Sequence, residues 1–231
     1  MPRRARIRAP GIPLHVIQRG NNRGACFFAD TDRQYYLHHL GRLADEFCCA
    51  IHAYVLMTNH VHLLLTPQDA VGASLLMKSL GQQYVQYINR VHGRSGSLWE
   101  GRFRASLVQT EAYLLRCHRY IEMNPVRAGM AAHPGEYRWS SYSGNALGRI
   151  DLLLTPHVEY LRLGADGPGR QSAYRELLLA DEDESELAQI RRAANAGYAL
   201  GAERFIADIE QITGRRAREG RTGRPSSATR A

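Results

Sequence analysis

Residues 50–67 read AIHAYVLMTNHVHLLLTP, an aliphatic stretch long enough for two β-strands with Met-Thr-Asn-His as the turn between them. Two histidines, His60 and His62, sit in the second half of this run, separated by one valine. A buried strand gains nothing from imidazoles unless they bond to something. The fold must therefore bury a hairpin and bring partners to its histidines.

The flanking segments supply the remaining elements. IPLHVIQRGNNRG reads as a strand closed by a Gly/Asn turn, with Leu14 and Val16 alternating against His15 and Ile17. DTDRQYYLHHLGRLADEFCC follows as a helix with an Asp or Thr cap near 30–32, its Tyr36, Leu40, Leu43 and Phe47 at helical spacing. After the hairpin, residues 71–91 carry Leu75, Leu76, Leu80, Tyr84, Tyr87 and Val91 as a second helical stripe. A strand is expected over roughly 103–109, then a short helix in EAYLLRCHRYIEMNP that Pro125 stops. The order β, α, ββ, α, β, α predicts an α+β fold: a ferredoxin-like antiparallel sheet with helices on one face. Beyond residue 148 the texture turns to amphipathic helical segments, and residues 215–231 are rich in Arg, Gly, Pro and Ser. The expected organisation is 1–148 as the main α+β domain, 149–214 as a small helical C-terminal domain, and 215–231 as a disordered basic tail.

Composition limits the partners. The formal charge is +8, and every basic residue except Lys78 is arginine. Base composition of the genome can explain arginine in place of lysine, but not the net excess, which points to a polyanion such as nucleic acid. No run of about 20 apolar residues exists to span a membrane, and the basic start MPRRARIRAP lacks the apolar segment of a secretory signal. The four cysteines form no CxxC pair, which fits buried thiols in a reducing cytoplasm.

Alternate side chains on a strand share a face, so His60 and His62 lie about 7 Å apart along one side. They can converge on one divalent cation if a third group closes the site; otherwise they are sheet-face histidines bonded to backbone or water. HRYIEMNP offers that third group. Tyr120 and Asn124 are spaced i, i+4. The Asn124 carbonyl oxygen suits magnesium or manganese, and the Tyr120 phenol is a nucleophile that a nearby metal assists. Tyr113, seven residues earlier, is the runner-up nucleophile. Arg3, Arg4, Arg6 and Arg8 form a basic arm, and Arg102 and Arg104 share a strand face after Trp99; all six are candidate phosphate contacts. Trp99 is either a base-stacking platform or a packing anchor.

NHVHLLL resembles the His-hydrophobic-His motif of the HUH superfamily of single-strand DNA nucleases, and RYIEMNPVRAG resembles the catalytic helix of the REP-associated tyrosine transposases. HVIQRGNNR, GSLWEGRFRASLV and YRWSSYSGN extend the resemblance over roughly residues 5–145, and GYALGAERFIADIEQITGRR is similar to the C-terminal extension of one subgroup. The resemblance implies Tyr120 as the nucleophile, His60 and His62 as metal ligands, and Asn124 as a third ligand. It further implies a cytoplasmic, nucleoid-associated enzyme that uses Mg or Mn on single-stranded DNA folded as hairpins, through a 5′-phosphotyrosine. A monomer or a homodimer would serve, since relatives differ in whether the tyrosine acts with its own chain's histidines or a partner's. The rival is a domesticated, non-catalytic DNA-binding protein; a hydrolytic metal-dependent nuclease is a third reading.

Overall fold

The computed structural model describes residues 6–180 and 183–219; Arg3, Arg4 and the tail from residue 220 lie outside them. Four strands form one antiparallel sheet: β1 (Leu14–Arg19), β2 (Cys49–Leu56), β3 (His60–Pro67) and β4 (Arg104–Leu107), in the order β2-β3-β1-β4. Helix α1 (Asp30–Glu46) connects β1 to β2, and α2 (Gly72–Val91) connects β3 to β4. The β2–β3 turn falls where the aliphatic run is interrupted, closed by the Met57 N–H donating to the His60 carbonyl at 2.9 Å.

The α+β fold with its antiparallel sheet is as read from the sequence, and the layering goes further than helices on one face. Leu14, Val16, Leu63 and Leu65 meet Tyr36, Leu40 and Leu43 of α1 and Leu76, Leu80 and Tyr84 of α2. The opposite face, with Ala53, Val55 and Leu64, packs against α3 (Thr110–Glu122) and α8 (Glu184–Ala196). The physical reason lies in the strands themselves: β1, β2 and β3 are buried almost continuously, so both faces need cover. Within α2, Leu75 and Val91 are exposed, and Met77 and Ile88 join the buried stripe in their place.

Past β4 the chain is helical: α4 (Asn124–Arg127), α5 (Tyr142–Leu147), α6 (Val158–Leu161), α7 (Gly167–Leu179), α8 and α9 (Glu203–Thr213). These segments enter the same apolar clusters as the sheet. Leu187 and Ile190 of α8 join Val55 and Leu64, while Ile206 and Ile209 of α9 join the α1–α2 side. The Leu200 N–H donates to the Leu107 carbonyl at 2.7 Å, partly closing the β4 edge that would otherwise present unpaired backbone. Among the cysteines, Cys26, Cys49 and Cys117 are buried thiols as expected, whereas Cys48 is exposed at the α1–β2 turn with φ of 50°.

Candidate active site

The sheet face under α3 carries the site. In register, His62 lies opposite Ile17 and His60 opposite Arg19 on β1. Gly20 lets the chain leave β1 tightly: its N–H donates to the Asn59 carbonyl at 2.8 Å, and a Cβ there would lie 2.2 Å from the Gly24 oxygen. That approach anchors Asn59, whose side-chain oxygen accepts the Nδ1–H of His60 at 2.7 Å. The His62 Nδ1 stands 2.8 Å from Nε2 of His15, a fully buried histidine on β1. Both Nδ1 atoms are thus occupied, and Nε2 is the atom each ring has left.

Tyr120 approaches from α3. Its ring stands edge-on to His62 at 5.7 Å and to His15 at 5.6 Å, and the His60 and His62 rings are 4.9 Å apart. Helix α3 ends at Glu122 and a separate turn begins at Asn124, so the expected single helix is broken just before Pro125. The break leaves the Tyr120 carbonyl accepting from Asn124 Nδ2 at 3.0 Å and from the Arg127 guanidinium. Arg127 also lies over the Tyr120 ring, 4.8 Å from its centroid. With its amide nitrogen committed, Asn124 has its oxygen for other work.

Burial pushes the His60 imidazole down to about 4, with Arg19 adding to the effect. Burial likewise holds His62 well below the ordinary histidine value, reinforced by His15, His60, Arg127 and Arg19. Neutral imidazoles are the form that ligates metal. Among the described residues, no group of three or more His, Cys, Asp or Glu side chains is arranged for a metal. A cation here would rest on two imidazole nitrogens and one amide oxygen, leaving positions for phosphate oxygens. Hard-cation chemistry and the anchored Nδ1 atoms fit that set.

The other expected positions separate. Tyr113 is half-buried with Arg116 over its ring at 5.3 Å, away from the histidine contacts that distinguish Tyr120. Trp99 is buried and stacks on Tyr84 at 5.7 Å, a packing anchor. His52 binds Thr155 and Thr66 through its two ring nitrogens. Arg6 is drawn onto Phe103, donating to its carbonyl and lying 3.5 Å from its ring centroid. Arg8 and Arg102 are exposed; Arg104 donates to Asn195 at 3.0 Å. Arg102, Arg104 and Arg19 line one cleft with Ile17, Glu100 and Asn195, and the Glu100 carboxylate lies 3.8 Å from Arg104.

Sequence reasoning missed three participants: His15, Arg127 and Arg19. His15 shares a strand face with Ile17 and Arg19, yet only the β1–β3 register shows that its ring reaches His62. Arg127, seven residues after Tyr120, reaches it across the break between α3 and α4, which helical spacing alone does not reveal.

The family model described as transposase IS200 like matches residues 9–124. The chain belongs to this family. An IS200-like transposase acts on DNA strands, which accounts for the net positive charge. The structure of a REP-associated tyrosine transposase bound to a REP hairpin aligns with TM-score 0.53 and 18% identity, covering 68% of this chain and 93% of that one. At that identity the likeness is one of fold. A putative transposase from Deinococcus radiodurans aligns at TM-score 0.37 and 20% identity, over 52% of this chain and 96% of that one. No curated protein matches the chain significantly. Among the described residues, no helix is long and apolar enough to cross a membrane.

Proposed function

We propose that this transposase cleaves and rejoins hairpin-containing single-stranded DNA through a covalent 5′-phosphotyrosine on Tyr120, with His60, His62 and Asn124 holding magnesium or manganese. The observation that carries the reading is the contact of the Tyr120 ring with His62 within one chain. In the first step the Tyr120 oxygen bonds to a backbone phosphorus, the bond from phosphorus to the 3′ oxygen breaks, and that oxygen takes a proton from solvent and leaves as a 3′-hydroxyl. The phenolic proton departs to solvent. A DNA 3′-hydroxyl reverses the process and rejoins strands, because the phosphodiester energy is kept in the adduct. A bound divalent cation supplies charge neutralisation at the scissile phosphate.

The remaining contributions come from the chain. Asn124 and Arg127 clamp the Tyr120 carbonyl and so fix where α3 ends, which holds the phenol in position. Arg19, Arg102 and Arg104 line a cleft on the β1–β4 side of the histidines, suited to phosphates flanking the cut. Because the histidines and tyrosine meet within one protomer, the reading favours a monomer-competent, cis site over one completed by a homodimer partner. Such an enzyme works on nucleoid DNA in the cytoplasm.

One observation favours the binding-only rival: Tyr120 is only 7% exposed, with Leu187 and Ile190 of α8 in the same cluster. Incubation with single-stranded hairpin oligonucleotides and Mn²⁺ separates the two. A protein–DNA adduct that resists denaturation and vanishes in Tyr120→Phe supports catalysis. Binding with no adduct under any divalent metal supports the rival, and cleaved DNA without a protein-linked end supports hydrolysis.

A further inference from the structure

We propose that His15 is a positioning residue: it fixes the tautomer and orientation of His62, so that the Nε2 lone pair of His62 faces the metal position. The inference rests on the metal-site reading above and adds a residue to it.

The two candidate ligands are anchored differently. His60 gives its Nδ1–H to a side-chain oxygen, Asn59 Oδ1 at 2.7 Å, which settles its tautomer with Nε2 unprotonated. His62 has another imidazole as its partner, with His15 Nε2 at 2.8 Å, and an imidazole nitrogen can donate or accept. If His15 donates, His62 keeps its proton on Nε2 and cannot ligate there. If His15 accepts, the His62 proton sits on Nδ1 and Nε2 is open. The tautomer of His62 is therefore decided by His15. The two rings lie edge to edge and nearly coplanar, centroids 5.1 Å apart with planes 24° from parallel, and the bond between them limits rotation of either.

Ligation through His62 Nε2 requires His15 in the accepting role. To accept at Nε2, His15 must carry its own proton on Nδ1, and that atom is buried without a partner among the described residues. Ser106 faces His15 across the β1–β4 register with its hydroxyl likewise buried and unpartnered, and acceptance by that oxygen of an Nδ1–H from His15 is the pairing this proposal expects. In addition, the His15 and Tyr120 rings meet at a steep angle with centroids 5.6 Å apart. One side chain thus braces both a ligand and the nucleophile, and since β1 is a central strand, the brace is rigid.

The test uses full-length, ¹⁵N-labelled protein. Long-range ¹H–¹⁵N correlation of the histidine rings in the metal-free protein is expected to show His62 as the Nδ1–H tautomer. His15→Phe, which keeps a ring of similar size but offers no acceptor, is expected to abolish that preference and to weaken Mn²⁺ binding, measured by calorimetry, by roughly 10–100-fold. His15→Gln, whose amide oxygen can accept the same bond, is expected to recover much of the affinity; a purely space-filling role would favour Phe over Gln. His62 found as the Nε2–H tautomer in the wild type, or His15→Phe binding Mn²⁺ like the wild type, would overturn this role and leave the metal reading intact. Wild-type Mn²⁺ binding indifferent to His60→Ala and His62→Ala would overturn the metal reading, and the role with it. Should His15→Phe fail to fold, the wild-type tautomer and the Gln variant still decide.

Discussion

Glu122, two residues beyond Tyr120, is the carboxyl whose titration should be most visible in the stability of this fold. It is fully buried, and three groups reach it: the Ser141 hydroxyl donates at 2.5 Å, Asn145 Nδ2 at 2.8 Å, both to Oε1, and the Tyr174 hydroxyl at 2.8 Å to Oε2. These bonds tie α3 to α5 and α7. Burial raises the Glu122 carboxyl from 4.5 to about 7, with the three hydrogen bonds opposing the rise. A folded-state value above the unfolded one means that stability is fully present below about 4.5 and is lost as pH climbs through about 7. The difference corresponds to roughly 3 kcal/mol over that window. Glu122→Gln mimics the neutral carboxyl and should abolish this dependence. The assay is urea unfolding of wild type and variant at pH 5 and pH 8, compared as a difference, since other groups titrate in the same window. The variant should gain on the wild type by up to about 3 kcal/mol at the higher pH. A difference constant across pH would refute the reasoning, because it would mean that the carboxyl bears its charge at no extra cost inside the protein.

Other outcomes follow from the same structure. His52 runs the opposite way: burial lowers it to about 4, so its contribution is present above 6.5 and is lost as pH falls toward 4. His52→Gln should flatten an acid-side loss of roughly 3 kcal/mol in the same unfolding experiment. Ile190→Ala, in the α8 face that packs with Tyr120, should cost about 2–4 kcal/mol of stability by urea titration; a cost near zero would detach α8 from that cluster. Removing Arg102 and Arg104 together should lower the salt dependence of single-stranded DNA binding by about 0.7 in log–log slope per lost phosphate contact, read by fluorescence anisotropy across a KCl series. An unchanged slope would take both arginines off the DNA path.

How far the sequence reached depends on the range of each interaction. Helices α1 and α2, the hairpin and the β-α order were legible because they follow from local periodicity: Tyr36, Leu40 and Leu43 repeat at helical spacing, and Met-Thr-Asn-His breaks an aliphatic run. The continuous burial of β2 and β3 was also written there, since residues 50–67 contain few polar positions to face water. That pattern demands a second helical layer, which α3 and α8 supply. His60, His62, Tyr120 and Asn124 could be named from spacing and resemblance, and the fold brings the Tyr120 ring against His62. What spacing could not carry is pairing between distant segments. His15 and His62 are 47 positions apart and meet only because β1 pairs with β3 in one register; a slip by one residue would turn His15 to the other face. Glu122 shows the same limit. Its partners lie 19, 23 and 52 residues further on, and a lone glutamate in a helix reads as a solvated charge until the chain that buries it has been folded over it. The residues that brace a site, more than those that react in it, are therefore what a single sequence conceals: reactive groups are marked by their chemistry, and braces only by what they touch.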